Sequence, residues 1–202
     1  MIEYALEYPD KLYFPLLEHI QMLFITLILS LILASILTII TIYSESLSKT
    51  FVYIFSVIYS IPSLAIFALL IPLTGLGKTT AIIVLVLYNQ YLLLRNITEG
   101  LKEVDPAVTE AAIGIGMNKI QLLFKIKIPL SKKAIFTGVR LAVVSTIGIA
   151  TIAAFINAGG LGSILNDGLR TVNTVKILWG SILAAGLAIG SNAILSKWEQ
   201  RL

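Results

Sequence analysis

Apolar residues run through this chain in long uninterrupted blocks, set apart by short clusters of charge. Five windows contain no charged residue and are dominated by Leu, Ile, Val and Ala: 20–44, 50–77, 79–94, 141–166 and 177–196. A helix needs about 20 apolar residues to cross a bilayer core, within a range of about 17–25. Four windows meet that length. The window 79–94 is slightly short, but Lys78 and Arg95 stand where their long side chains can snorkel to the two interfaces. A buried hairpin or re-entrant segment is the alternative for that window. The pattern predicts an all-α integral membrane fold of five transmembrane helices.

Composition agrees with the pattern. The 202 residues are 57% hydrophobic and 13% charged, against about 25% charged residues in ordinary soluble domains. A soluble fold of this size lacks the polar surface to cover so much apolar side chain, so lipid must take up the excess. The net charge of +4 does not point to nucleic acid, because the basic residues lie between the apolar runs, where they report topology.

With the connection 95–140 in the cytoplasm, the cytoplasmic side holds Lys49, Arg95, Lys102, Lys119, Lys125, Lys127, Lys132, Lys133, Arg140, Lys197 and Arg201. The outer side holds Lys11, Lys78, Arg170 and Lys176. This positive-inside bias predicts an N-terminus outside and a C-terminus inside. The chain then divides into an extracellular segment 1–19, a transmembrane domain 20–196 with a cytoplasmic loop at about 99–133, and a cytoplasmic tail 197–202. The acidic start (Glu3, Glu7, Asp10, Glu18) is unlike a cleavable signal, so the first run reads as a permanent span.

The cytoplasmic loop between spans three and four carries the most local detail. Asp105 is a good N-cap, and Pro106 at the first helical position gives up an N–H that has no helical partner. A short helix with Glu110-Ala111-Ala112 follows, broken at Gly114 and Gly116. A second amphipathic helix is expected over about 119–127, with Ile120, Leu123, Phe124 and Ile128 on one face and Lys119, Lys125 and Lys127 in water. Pro129 is expected to stop it. The prediction is a two-helix knob on the membrane surface with small residues at its tip, where another protein's groove can approach the backbone.

Glu110-Ala111-Ala112, three residues, Gly116, nine residues, then Ile126-Lys127-Ile128-Pro129 resembles the EAA loop of binding-protein-dependent ABC-importer permeases. The family pattern has Leu where Ile128 stands, an apolar exchange. The resemblance implies that the loop is a coupling helix docking on a cytoplasmic ABC ATPase dimer, with Glu110, Ala111, Ala112, Gly116, Ile126 and Pro129 as coupling residues. It also implies a pathway between two permease subunits, identical or paralogous. ATP and Mg would be bound by the ATPase and no cofactor by this chain, which would not itself be an enzyme. Ser60-Ile61-Pro62-Ser63-Leu64-Ala65, Leu94-Arg95-Asn96, Val104-Asp105-Pro106-Ala107 and Ala158-Gly159-Gly160-Leu161-Gly162 look like the branch that imports glycine betaine, carnitine and choline. Relatives handle other betaines, such as ergothioneine. With the chain ending at Leu202, the solute receptor is expected to be a separate extracellular protein.

Other signals point less sharply. Asn89 and Gln90 are the most polar pair inside a span and should face other helices or a wet passage. They are pathway candidates together with Asn157, Tyr59 and Pro62. Pro62 can kink its helix, and Tyr53 and Tyr59 could offer π faces to a trimethylammonium group. Gly186 and Gly190 form a GxxxG, read as packing within one subunit or between two. The glycine-rich segment 158–162 is either a plain surface turn or a sharp reversal near the pathway. His19 is expected at the interface beside Glu18.

Gly75-Leu76-Gly77-Lys78-Thr79-Thr80 resembles the end of a phosphate-binding loop, but Pro72 stands where the pattern needs Gly, and the setting lacks a strand. With no cysteine and one histidine, thiolate and histidine-cluster metal sites are excluded. An ion-coupled secondary transporter would want carboxylates within the spans, and these windows have none.

Overall fold

The computed structural model describes residues 1–41 and 44–202. The last part of the first predicted span, at Ile42 and Tyr43, lies outside the described residues. All regular structure among the described residues is helical. Helix α1 (Ile2–Glu7) leads to α2 (Asp10–Thr41), α3 (Glu45–Ser60), α4 (Ser63–Thr74) and α5 (Lys78–Lys102). The loop segment holds α6 (Pro106–Gly114), α7 (Lys119–Leu122), a π-turn (Leu123–Lys127) and α8 (Ile128–Leu130). Then come α9 (Lys132–Ile152) with a 3₁₀ extension to Ile156, α10 (Leu161–Arg170) and α11 (Thr174–Glu199).

Among the described residues, four helices are long and apolar enough to cross a membrane: Asp10–Thr41, Lys78–Lys102, Lys132–Ile156 and Thr174–Glu199. The window 50–77, read as one span, is two helices bent by 99°. The bend falls at Ile61-Pro62, where extended backbone (ψ 135 and 134°) interrupts the helical path. Proline lacks the N–H that the next turn would use, and it forces the preceding residue away from helical geometry.

The fourth window, 141–166, is also corrected. Its helix begins at Lys132 and ends at Ile156, and residues from Leu161 form the separate α10. The window was free of charge throughout, so only backbone geometry marks this break: Asn157 takes a left-handed conformation (φ 61, ψ 30°) and Gly159 and Gly160 follow with φ of 80 and 75°. The short third window extends to 25 residues, because α5 runs on past Arg95 to Lys102.

Helix α5 lies at the centre, packed against α2, α3, α4 and α9. One core cluster gathers Met22, Phe67, Val84, Tyr88 and Ala150, and another Ala34, Leu37, Phe55, Leu93 and Ala142. Small residues bring α9 close to α5. A Cβ on Gly138 would stand 2.9 Å from the Cβ of Asn96. The first turns of α9 and the end of α11 are joined by Arg140 Nε to Glu199 Oε2 at 2.7 Å, and Thr137 donates to Glu199 Oε1 at 2.6 Å. Helix α11 leaves most of its surface open. Gly180 packs on Leu165, but a Cβ at Gly186 or Gly190 would meet nothing within 4 Å, so the GxxxG does not pack within this subunit.

Candidate functional site: the two-helix protrusion, the buried amides and the glycine loop

The protrusion begins as its sequence predicts. Asp105 caps α6 by accepting the N–H of Ala107 at 2.8 Å, with Pro106 in the first turn. Glu110 and Ala111 are exposed, and Ala112 is buried. Gly116, at φ +87°, then reverses the chain. Its N–H donates to Ile113 O at 2.9 Å, and Met117 N–H donates to Ala112 O at 3.1 Å. This pair of bonds is the Schellman closure, which needs a left-handed residue just past the helix end and so favours glycine. Asn118 starts α7 through a reciprocal capping box with Gln121, at 2.9 and 3.0 Å.

The second half departs from expectation. The 119–127 helix is one turn of α-helix followed by the π-turn, in which Ile128 N–H reaches back to Leu123 O. The extra residue in that turn shifts the residues that follow it out of register with Ile120. Leu122 and Leu123 are buried, whereas Ile120 and Phe124 are exposed. Pro129 does not stop the helical path. It sits in the first turn of α8, where no N–H is required, and the path continues into α9 after Ser131. Ile126 is half-buried and Pro129 exposed. Ile113, Ile115, Ile120 and Phe124 therefore give the protrusion an exposed apolar surface.

Two residues that sequence reasoning passed over tie the protrusion to the bundle. Ser131, buried, donates to Gly100 O at 2.6 Å. A Cβ on Gly100 would stand 2.5 Å from Ala134 Cβ, so this crossing admits only glycine without a shift. No local pattern marks either residue. Glu110 also borders a cavity of about 480 Å³ with Glu45, Lys102 and Lys127, between the protrusion and the ends of α2, α3 and α5.

Asn89 and Gln90 turn toward other helices and not toward an open passage within this chain. Both are fully buried. Asn89 Nδ2 donates to Ser30 Oγ at 3.2 Å and Thr146 Oγ1 at 3.0 Å, joining α5 to α2 and α9. Gln90 Nε2 donates to Ser30 O at 3.2 Å and Val86 O at 3.1 Å. Asn157 is exposed at its left-handed turn, where its short side chain suits the backbone. Tyr59 is half-buried below the Pro62 bend, its ring centroid 5.5 Å from that of Tyr88 and 5.1 Å from that of Tyr91. Tyr53 is largely exposed.

On the opposite face the glycine segment is a packed reversal. His19, expected at an interface, is fully buried, and its Nδ1 accepts the N–H of Leu161 at 3.3 Å. Glu18 Oε2 accepts the N–H of Gly160 at 3.1 Å, while Oε1 binds Lys78 Nζ at 3.1 Å. The start of α10 is thus held by the start of α2. A Cβ on Gly159 would stand 2.5 Å from Glu18 Oε2, and one on Gly160 2.9 Å from His19 Nδ1. Gly75 and Gly77 end α4 and open α5 at positive φ, between two helices. Among the described residues, no three His, Asp or Glu side chains are grouped to hold a metal ion.

A helical membrane bundle with a short capped protrusion between its third and fourth long apolar segments is a permease architecture, and the comparisons with known proteins agree. The family described as binding-protein-dependent transport system inner membrane component matches residues 27–202. The chain belongs to that family: it is a multi-pass permease of the bacterial inner membrane and the membrane component of an ABC importer.

It is similar to the choline transport system permease protein OpuBB of Bacillus subtilis strain 168, 34% identical over 92% of this chain and 85% of that protein. It is 38% identical to the carnitine transport permease protein OpuCB of Listeria monocytogenes, over 79% of this chain and 73% of that one. The ergothioneine transport permease/ergothioneine binding protein EgtU of Helicobacter pylori strain G27 is 40% identical over 70% of this chain, but the match spans only 26% of that protein. In fold, the chain resembles the inward-facing MetNI methionine ABC transporter at TM-score 0.79 and 18% identity, covering 98% of this chain and 99% of that one. A second solved structure, an amino acid ABC transporter with histidines, gives TM-score 0.80 at 17% identity, covering 100% of this chain and 99% of that one.

Proposed function

We propose that this permease carries quaternary-ammonium osmoprotectants, namely glycine betaine, carnitine and choline, by alternating access driven by a separate cytoplasmic ABC ATPase dimer. The identity to choline and carnitine permeases over most of both chains supports the solute class. The ergothioneine relative favours a second solute of the same chemistry, since ergothioneine is also a trimethylammonium betaine.

In this reading the chain crosses the membrane five times, with the bent pair α3–α4 as the second crossing. Residues 1–19 are outside, 20–196 form the transmembrane domain with its coupling loop at about 99–133, and 197–202 are cytoplasmic. A second permease subunit completes the pathway, and a separate extracellular protein delivers the solute. ATP and Mg bind in the ATPase. Glu110, Ala111, Ala112 and Gly116 form the docking tip, with Ile126 and Pro129 shaping its return. ATP-driven closure of the ATPase moves this tip and rocks the spans. The free-energy link is the different contact the tip makes with the two ATPase states.

The observation that carries the coupling role is the exposed apolar surface of Ile113, Ile115, Ile120 and Phe124, held on a protrusion closed by the Gly116 turn. Apolar side chains on a short, rigidly capped element want a partner's groove. The chain has no cysteine, so single cysteines report cleanly. In the assembled importer, Ala111→Cys is expected to cross-link to the ATPase, and Leu73→Cys is not. Absence of the Ala111→Cys adduct in an intact complex removes the coupling assignment.

A further inference from the structure

On the cytoplasmic side of the Pro62 bend, α3 and α5 flank a groove of about 350 Å³, lined by Tyr53 and Ser56 from α3 and by Tyr91, Arg95 and Glu99 from α5. That volume suits a small solute. The lining on α3 recurs at helical spacing (Lys49, Val52, Tyr53, Ser56), so Tyr59 stands next on the same face. On α5, Tyr88 stands about one turn above Tyr91. The rings of Tyr59, Tyr88 and Tyr91 meet at 5.1 and 5.5 Å, and Tyr88 is fixed by its hydroxyl, which donates to Ile61 O at the bend. An aromatic wall therefore continues from the groove up to the break in α3–α4.

The charges in this groove are also arranged. Lys49 and Lys102 both lie near Glu45, at 3.0 and 3.8 Å, so one carboxylate is shared between two ammonium groups. Arg95 is held over the aromatic wall: Nη1 donates to Tyr91 Oη at 2.7 Å, Nε binds Glu99 Oε1 at 3.2 Å, and the guanidinium lies 5.8 Å from the Tyr91 ring centroid. Half of its side chain remains open. A planar guanidinium matches a carboxylate in two parallel hydrogen bonds, and tyrosine faces attract a quaternary ammonium through their ring quadrupole. The groove thus offers both halves of a betaine within one small volume.

We propose that this groove is a solute station in the permease itself, with the trimethylammonium group on the open face of Tyr53 and the carboxylate on Arg95, which Tyr91 holds in place. Arg95 is then a specificity determinant that separates carboxylated solutes from choline, which presents only a hydroxyl. The proposal rests on the solute reading above. Glu99 is a built-in competitor for Arg95 that the solute carboxylate displaces.

The test uses the complete importer, with its ATPase and receptor, in vesicles of neutral lipid and of lipid containing phosphatidylglycerol. Uptake of radiolabelled glycine betaine, carnitine and choline is measured with the same receptor throughout, so changes between variants report the permease. Arg95→Gln is expected to lower the ratio of betaine to choline kcat/KM by about tenfold, the loss of a charged hydrogen-bond partner to one solute only. Tyr53→Leu should lower uptake of all three, since each carries the trimethylammonium group. Glu99→Gln should move the ratio the other way, toward carboxylated solutes, a gain that misfolding cannot produce. Ratios unchanged in Arg95→Gln and Glu99→Gln, with wild-type uptake intact, overturn the groove alone. Effects of Arg95→Gln that follow the lipid and not the solute assign the groove to an anionic headgroup and overturn it too. A wild-type importer that moves none of the three refutes the solute reading, and the groove falls with it.

Discussion

His19 Nδ1 accepts the backbone N–H of Leu161 across 142 positions of sequence, inside a site where neither group meets water. The start of α10 depends on that bond and on the neighbouring bond from Gly160 N–H to Glu18. His19→Phe fills the space but leaves the amide unpaired, which costs about 1–3 kcal/mol. Gly160→Ala adds two faults. Its backbone (φ 75, ψ −170°) lies in a region that essentially only glycine adopts, and its new Cβ would stand 2.9 Å from His19 Nδ1. Thermal unfolding in detergent should show both variants less stable than wild type, with Gly160→Ala the worse.

Asn89 is a helix–helix linker in this structure, so its loss should weaken packing without changing which solute is carried. Asn89→Leu removes the bonds to Ser30 and Thr146. Interhelical bonds of this type are worth about 1 kcal/mol in membrane proteins. A double-mutant cycle of Asn89→Leu with Thr146→Val should give a coupling of that order. Solute ratios in transport should stay at wild-type values, and a changed ratio would restore Asn89 to the pathway.

Gly116 supports its turn through conformation and not through lack of space, because a Cβ there would meet nothing within 4 Å of this chain. An L-residue forced to the left-handed side costs about 1–2 kcal/mol. Gly116→Ala should therefore keep insertion and lower solute-stimulated ATP hydrolysis. Gly116→Trp adds bulk to a surface meant to dock and should abolish that stimulation. Normal transport in Gly116→Trp would contradict the docking role.

Topology has a direct readout, since the sequence is free of cysteine. With the N-terminus outside, Glu7→Cys should react with a membrane-impermeant maleimide in intact cells. Ala111→Cys should react only after the membrane is opened. The reverse pattern would invert the orientation.

Much of this structure could be read locally. Asp105, Pro106 and Gly116 act through bonds that span a few residues, so their roles follow from residue type and spacing. The long helices follow from unbroken apolar runs. What stayed hidden depends on distant partners or on backbone geometry within apolar sequence. The windows 50–77 and 141–166 hid a 99° bend and a left-handed turn, because lipid-compatible side chains do not record backbone direction. The π-turn was not marked in the sequence, and the buried side of this segment is Leu122 and Leu123 with Ile120 and Phe124 left exposed. Glu18 and His19 form a tertiary clamp whose other half lies at the far end of the chain, and the only local trace was a polar pair just before an apolar run. Ser131 and Gly100 left no trace at all.

The central claim is that ATP hydrolysis in a partner drives solute through this chain by way of the protrusion at α6 and α7. The most direct measurement is solute accumulation in vesicles holding the permease with its ATPase and receptor, with and without ATP, beside vesicles holding the permease alone under an ion gradient. The account predicts accumulation only in the complete, ATP-supplied vesicles, and its loss with Gly116→Trp. Accumulation by the permease alone, driven by the ion gradient, would contradict it.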